Sequence, residues 1–396
     1  MNKQTTLMVA LALALACSGA PVLAAKAAAV DRVAPAVVSA PVPAGEFEHA
    51  PVQFAWALNP ADVVSAADPE VMESRSSWRM VEAAELQSGV DVPVSAPGAV
   101  IQLSPARGAK ALDVQSLQVR EGGAPVAARR FERAALKDAG MAVAPGTAML
   151  KLQDAKPGRY RVQAAEARGS YVMQVLEPDS PMVLRARTDR SVTLAGGQLR
   201  AQVNMDGVQS TRAEVAARLA GSSFTAEGLL VAPDGRTWTV PMRSDKAGGL
   251  VADVPIPAAG SDVQGLWELQ VFADQGGIAR DTRLAFAVAK PTARLASAVR
   301  ATSLSNLRFP LQVGAPGRYE VRTTLFATGT DGKLRAVAQG HSAAWFAKPG
   351  RGELGLSFAD VKLPAGYAAP YELREVELHD QTRMAPIERR ARAVRF

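Results

Sequence analysis

Short runs in which every second residue is apolar, each closed by a glycine, proline or aspartate turn, dominate the middle and end of this chain. Such a period leaves room for antiparallel sheets and little else, because a strand sends alternate side chains to opposite faces. Trp238, Val240 and Met242 share one face of TWTVPM; Trp267, Leu269 and Val271 share one face of LWELQVF; Leu284, Phe286 and Val288 share one face of TRLAFAV. Tyr319, Val321, Thr323, Leu325 and Ala327 alternate likewise, and Val394 and Phe396 are expected on one face with Arg392. Pro233-Asp234-Gly235 and Thr330-Asp331-Gly332 lie between such runs and suit tight reversals.

Helical patterns are scarce. Phe131 to Ala139 reads as a short helix stopped by Gly140, Asp68-Pro69-Glu70 as a helix start, and Ala213 to Leu219 fits a helix or a strand. The phrase Pro157-Gly158-Arg159-Tyr160-Arg161-Val162 recurs as Pro316-Gly317-Arg318-Tyr319-Glu320-Val321, with a looser copy at Gly265-Leu266-Trp267. In an immunoglobulin-like sandwich a turn glycine ahead of a buried aromatic opens a late strand. Tyr160 and Trp267 fit that use, whereas Tyr319 comes too early in its unit and reads as convergent.

The expected fold class is therefore mainly β: tandem antiparallel β-sandwich (immunoglobulin-like) domains after a β-rich N-terminal domain with a few short helices. Strand ends followed by proline set the boundaries near Ser180-Pro181 and Lys290-Pro291. The expected division is an N-terminal domain over residues 46–180, one sandwich over 181–290 and a second over 291–396. Residues 25–45 are nearly all Ala, Val and Pro and read as a flexible linker.

The N-terminus places Lys3 before an apolar run from Leu7 to Cys17, then small residues up to Ala24 and Ala25, the order of an export signal. The run is too short for a membrane span, which needs roughly 20 apolar residues. Cleavage is expected after Ala24, which directs the protein to the periplasm or the outside of the cell. The single cysteine, Cys17, leaves an alternative in which it is lipidated and anchors the chain, although Ala14 and Leu15 depart from the usual lipoprotein order. With Cys17 removed, the mature chain has no disulfide and depends on its core.

The formal net charge of +7 is spread along 396 residues. Arg129, Arg130 and Arg133, and Arg389, Arg390, Arg392 and Arg395, form basic clusters that read chiefly as solvated faces, with a slight bias toward an anionic or glycan partner. No specific recognition of nucleic acid is expected. His49, His341 and His379 have no zinc-binding spacing. Asn204, Asp206 and Asp331 are the best loop ligands for calcium, but their places suit turns and no calcium loop surrounds them.

Gly340-His341-Ser342-Ala343-Ala344 lacks the last glycine of a nucleophile elbow. Gly350-Arg351-Gly352-Glu353-Leu354-Gly355 has the glycine spacing of a dinucleotide loop but runs on into LSFADVKLP, which reads as a strand. Glu82 and Glu85 have carboxylates enough for a glycosidase, yet their spacing suits a wet face. Trp238 and Trp267 are expected in the core; Trp56 and Trp345-Phe346 are the first places to look for an exposed aromatic patch. No catalytic, metal or cofactor-binding residue is assigned, and no cofactor is expected.

The stretches SWRMVEAAELQSGVDVPVSAPGAVIQLSP, PDSPMVLRA, GLWELQVFAD and DTRLAFAV resemble an uncharacterised family of exported bacterial proteins, in which a distinctive N-terminal domain precedes immunoglobulin-like domains. The resemblance implies this architecture and supplies no catalytic residues. The leading expectation is a non-enzymatic exported protein that binds a protein, glycan or anionic surface ligand. The alternatives are a secreted hydrolase acting on envelope or extracellular polymer, with its site in the N-terminal domain, and a lipid-anchored envelope factor.

Overall fold

The alternating runs become strands whose apolar faces close on three large hydrophobic cores. The computed structural model describes residues 35–62, 70–207, 223–246, 248–258, 264–296 and 298–396. The export signal with Cys17, residues 25–34, the Asp68-Pro69 helix start and the Ala213 to Leu219 run lie outside these residues. All described residues fall within one compact unit.

In the first core a sheet of Val90–Val94, Gly158–Gln163, Gln118–Glu121 and Ala124–Pro125 faces a five-stranded sheet that includes Ser76–Glu82, Ser170–Leu176 and Ala99–Pro105. Val81, Ile101, Leu103, Leu150, Tyr160 and Tyr171 fill the space between them. Two short helices attach here, Ala83–Ser88 and Arg133–Asp138. The second lies within the span expected of it, is stopped before Gly140 at φ +78°, and leaves Phe131 to a strand. The first begins where Glu85 accepts the Glu82 backbone N–H at 2.9 Å. The Glu82/Glu85 pair thus closes a capping box that satisfies donors at the helix start.

The middle core lies between one sheet built on Val183–Thr188, Gln198–Asp206 and Leu250–Pro255 and another built on Phe224–Val231, Trp267–Gln275 and Ile278–Ala289. Trp267 and Phe286 are buried as their period requires, and Trp238 stacks on Trp267 with centroids 5.7 Å apart. Met72–Ser74, preceding the first core in sequence, pairs with Val183–Thr188 of this core.

The last core is enclosed by Asn306–Val313 and its neighbours on one side. On the other lies a five-stranded sheet in the order Val52–Ala57, Leu334–Phe346, Gly317–Gly329, Tyr367–Asp380, Ala385–Arg395. The edge strand Val52–Ala57 comes from the start of the chain, within the stretch that the sequence assigns to the first domain.

Residues 35–45 are not the free linker that their composition suggests. Ala40 is buried, the Val38 N–H donates to the Pro291 carbonyl at 2.9 Å, and Arg383 Nη2 donates to the Ala40 and Pro41 carbonyls at 3.2 and 2.8 Å. Repeated proline removes the option of helix or ladder, but an extended segment can still be held by donors from outside.

Two further differences concern strand detail. Tyr319 matches Tyr160 closely. Tyr160 Oη donates to the carbonyl of Lys156 at 2.8 Å, and Tyr319 Oη to that of Ala315 at 2.8 Å, each four residues upstream and each ring buried. The two phrases therefore do the same local work, a tyrosine corner. At the C-terminus the register shifts between Leu373 and Arg374, so Val394 sits opposite buried Leu373 while Arg392 sits opposite Arg374. The bulge separates Arg392 from the face of Val394.

Candidate functional site

Directly opposed residues of an antiparallel sheet point the same way. In the last sheet this aligns Phe54, His341, Arg322, Glu377 and Arg389 in one row, and Val52, Ala343, Glu320, His379 and Pro386 in the next. Tyr319, Val321 and Leu325 point the other way, into the core. The outward rows meet an apolar strip at the sheet edge, where Val52, Phe54 and Trp56 are 41%, 51% and 38% exposed. Phe54 and Trp56 stack with centroids 5.6 Å apart, and each ring lies 5.1 Å from His341. Farther along the same face Trp345 stacks on His49 at 4.0 Å and on Phe47 at 6.1 Å.

Arg318 holds this edge in place. Its Nη1 donates to the carbonyls of Glu48 and Ala50 at 3.0 and 2.7 Å, just before the edge strand begins. The backbone satisfied there is fixed before the strand reaches Leu334–Phe346.

Beside the strip the charges are internally matched. Glu320 is buried and receives His341 Nδ1 at 2.8 Å, Arg322 Nε at 3.0 Å and Gln381 Nε2 at 2.9 Å. Burial pushes its carboxyl up, but the bonds from Arg322 and His341 outweigh this and hold it below the usual carboxylate range. An ionised carboxylate only accepts, so His341 donates through Nδ1 and leaves Nε2 as an acceptor in the neutral ring. Glu377 is held low chiefly by the bond from His379 Nε2, at 3.1 Å. Arg374 and Arg392 reach Glu372 at 2.9 and 3.3 Å, and Arg390 reaches Glu388 at 2.8 Å. Arg389 pairs with Glu375. The basic C-terminal strand is thereby largely neutralised by its neighbours.

Other residues considered from the sequence are placed apart from this face. Ser342 is buried in mid-strand opposite Val321, with no turn into a helix. Gly350–Leu356 is a strand paired with Asn306–Val313, and a Cβ at Gly352 would lie 2.2 Å from the Phe346 ring. Asp331 pairs with Arg335 at 2.6 Å and Asp206 with Arg185 at 3.2 Å. Arg130 donates to the carbonyls of Ala128 and Leu117. Among the described residues, no group of three or more His, Cys, Asp and Glu side chains is placed to hold a metal ion. A cleft of about 870 Å³ opens between the middle and last cores; of its four carboxylates Asp189, Glu377 and Glu388 are each paired with an arginine, and Glu70 lines it as well.

Trp56 and Trp345 were legible as surface candidates. Phe54 was available from its i, i+2 spacing to Trp56. In the sequence His341 stood out only as part of a failed zinc or nucleophile pattern and Glu320 only within the tyrosine repeat; His341 meets these rings, and Glu320 meets His341, through strand register.

Two family models match the chain, the N-terminal domain of a domain of unknown function (DUF4785) over residues 43–177 and its C-terminal domain over residues 292–396, together more than half of it. The chain belongs to the DUF4785 family. Both matched segments of this DUF4785 protein contribute to the aromatic face, Phe54 and Trp56 from the first and His341 and Trp345 from the second. The crystal structure of a DUF4785 family protein from Legionella pneumophila is similar over 90% of this chain and 98% of that one, with a TM-score of 0.59 at 17% identity. At that identity the likeness shows the fold. Trypsin-activated alpha-2-macroglobulin from Escherichia coli (TM-score 0.21, 11% identity, 72% of this chain and 21% of that one) has only a distant likeness. The same is true of a tandem repeat from a large adhesion protein (TM-score 0.19, 10% identity, 80% and 72%). No curated protein matches the sequence.

Proposed function

We propose that this DUF4785 protein is exported and acts without chemistry, recognising another molecule through the outward face of its last sheet. The observation that carries this is the exposed strip of Val52, Phe54 and Trp56. Large apolar side chains gathered on one open face mark contact surfaces more often than folding needs. The N-terminal sequence supports export, with the periplasm or the cell exterior as destination. The three cores are read as three domains joined near Ser180 and Lys290, the last completed by the N-terminal arm.

Full-length protein produced in an exporting cell tests both parts. Mass spectrometry of the secreted N-terminus is expected to give a chain starting at Ala25; a lipidated Cys17 would replace free export by anchoring. Retention of the purified protein on immobilised envelope material is expected to fall in Trp56→Ala. Equal retention of the two proteins would remove the face from the proposal.

A further inference from the structure

We infer that the ligand of this face is a carbohydrate chain, with its ring faces on Phe54 and Trp56 and its hydroxyls on Gln339, His341 and Arg322; the inference rests on the recognition reading above. Three properties of the face select that chemistry.

The apolar strip is one strand wide. Across the register from Phe54 and Trp56 stand His341 and Gln339, and beyond His341 stands Arg322. A protein interface of ordinary size buries about 800 Å² per partner around an apolar centre, and a three-residue strip bordered by polar side chains beside both of its rings, with only the small Ala343 beside Val52, provides no such centre. A sugar chain is amphipathic on the same scale, with C–H faces that pack on aromatic rings and hydroxyls at the edges that both donate and accept.

The polar row offers both roles. Arg322, whose side chain is 42% exposed, only donates; His341 has Nδ1 committed to Glu320 and keeps Nε2 for a ligand, an acceptor in the neutral ring and a donor in the charged one. Gln339 has a carbonyl and an amide to present.

The face also lacks a field of one sign. Arg322 is matched by Glu320, Arg389 by Glu375, and Arg374 by Glu372. A surface built to capture polyanions carries unbalanced cations; this one suits a neutral, hydroxyl-rich ligand.

The test uses full-length protein on immobilised envelope material of the producing cell in three states: untreated, exhaustively digested with protease, and oxidised with periodate, which cleaves vicinal diols. Retention is expected to survive protease, to be lost after periodate, and to fall about tenfold in Trp56→Ala and Phe54→Ala. Trp56→Phe keeps a ring and is expected to recover part of the loss. An unchanged unfolding midpoint in each variant separates lost contact from lost fold. Retention that resists periodate, is destroyed by protease and still depends on Trp56 would overturn the carbohydrate while leaving the recognition face. Retention indifferent to Trp56 and Phe54, or none in any state, would overturn both.

Discussion

Arg280 Nη2 lies 2.6 Å from Glu177 Oε2 at the seam between the first and middle cores, with the two side chains 2% and 0% exposed. Ser95 and Ser180 complete the site: Ser95 N–H and Oγ donate to Glu177, and Arg280 reaches both hydroxyls and the Met182 carbonyl. Every polar group thus has a partner, the condition for keeping an ion pair away from water.

Removing either charge leaves the other buried and unmatched. Arg280→Met or Glu177→Gln is expected to lower stability by about 3–5 kcal/mol, read from denaturant unfolding. The Arg280→Met, Glu177→Gln double variant is expected to cost less than the two singles together; strict additivity would show that the pair is not coupled.

Asp281 is adjacent and behaves in the opposite sense. Burial is the largest cause of its shift and pushes its carboxyl up to about 6, against the bond from the Trp78 N–H at 2.6 Å and nearby Arg283 and Arg280. The folded form therefore binds its proton more tightly than the unfolded chain does. Its ionisation costs nothing below pH 4, and stability falls as pH rises from about 4 to 6. Asp281→Asn is expected to flatten that part of the stability profile and to raise the melting temperature at pH 7. A profile unchanged between pH 4 and 6 would show that Asp281 titrates normally.

The N-terminal arm hangs on few contacts. Arg318→Ala removes the donors to Glu48 and Ala50. Amide exchange over Val52–Ala57 is expected to quicken roughly tenfold, from loss of about 1–2 kcal/mol of local stability. Gly314→Ala provides a second handle at a distance from the strand, because its Cβ would come 2.3 Å from Val37. Both variants are expected to leave exchange in the Tyr367–Asp380 strand nearly unchanged, so uniform acceleration would argue against a separable arm.

The paired tyrosines provide an internal comparison. Tyr160→Phe and Tyr319→Phe each remove one buried hydroxyl and leave a carbonyl short of its donor, at about 1–2 kcal/mol. Since the rings lie in separate cores, the losses are expected to appear in different unfolding transitions if the cores melt apart, and to add if they melt together. Tyr319 is pushed up to about 12 chiefly by burial, so its contribution is expected to hold through neutral and mildly alkaline pH.

By itself the sequence determined the long strands of the middle core and which face of each is apolar, because a period of two is written into local order: Trp267, Leu269 and Val271 are buried as that period demands. It also determined the Pro233 and Thr330 turns, whose glycines Gly235 and Gly332 sit at φ +85° and +75°. It did not determine which strands meet. Val52–Ala57 joins a sheet nearly 300 residues away along the chain, and no local signal encodes so distant a register. Only the tertiary structure decided that Phe54 and Trp56 lie beside His341, that Glu177 meets Arg280, and that the basic C-terminal strand is matched by Glu372, Glu375 and Glu388. Side-chain period is a local property of the backbone; the site depends on pairings whose energy is gained only after long loops have closed.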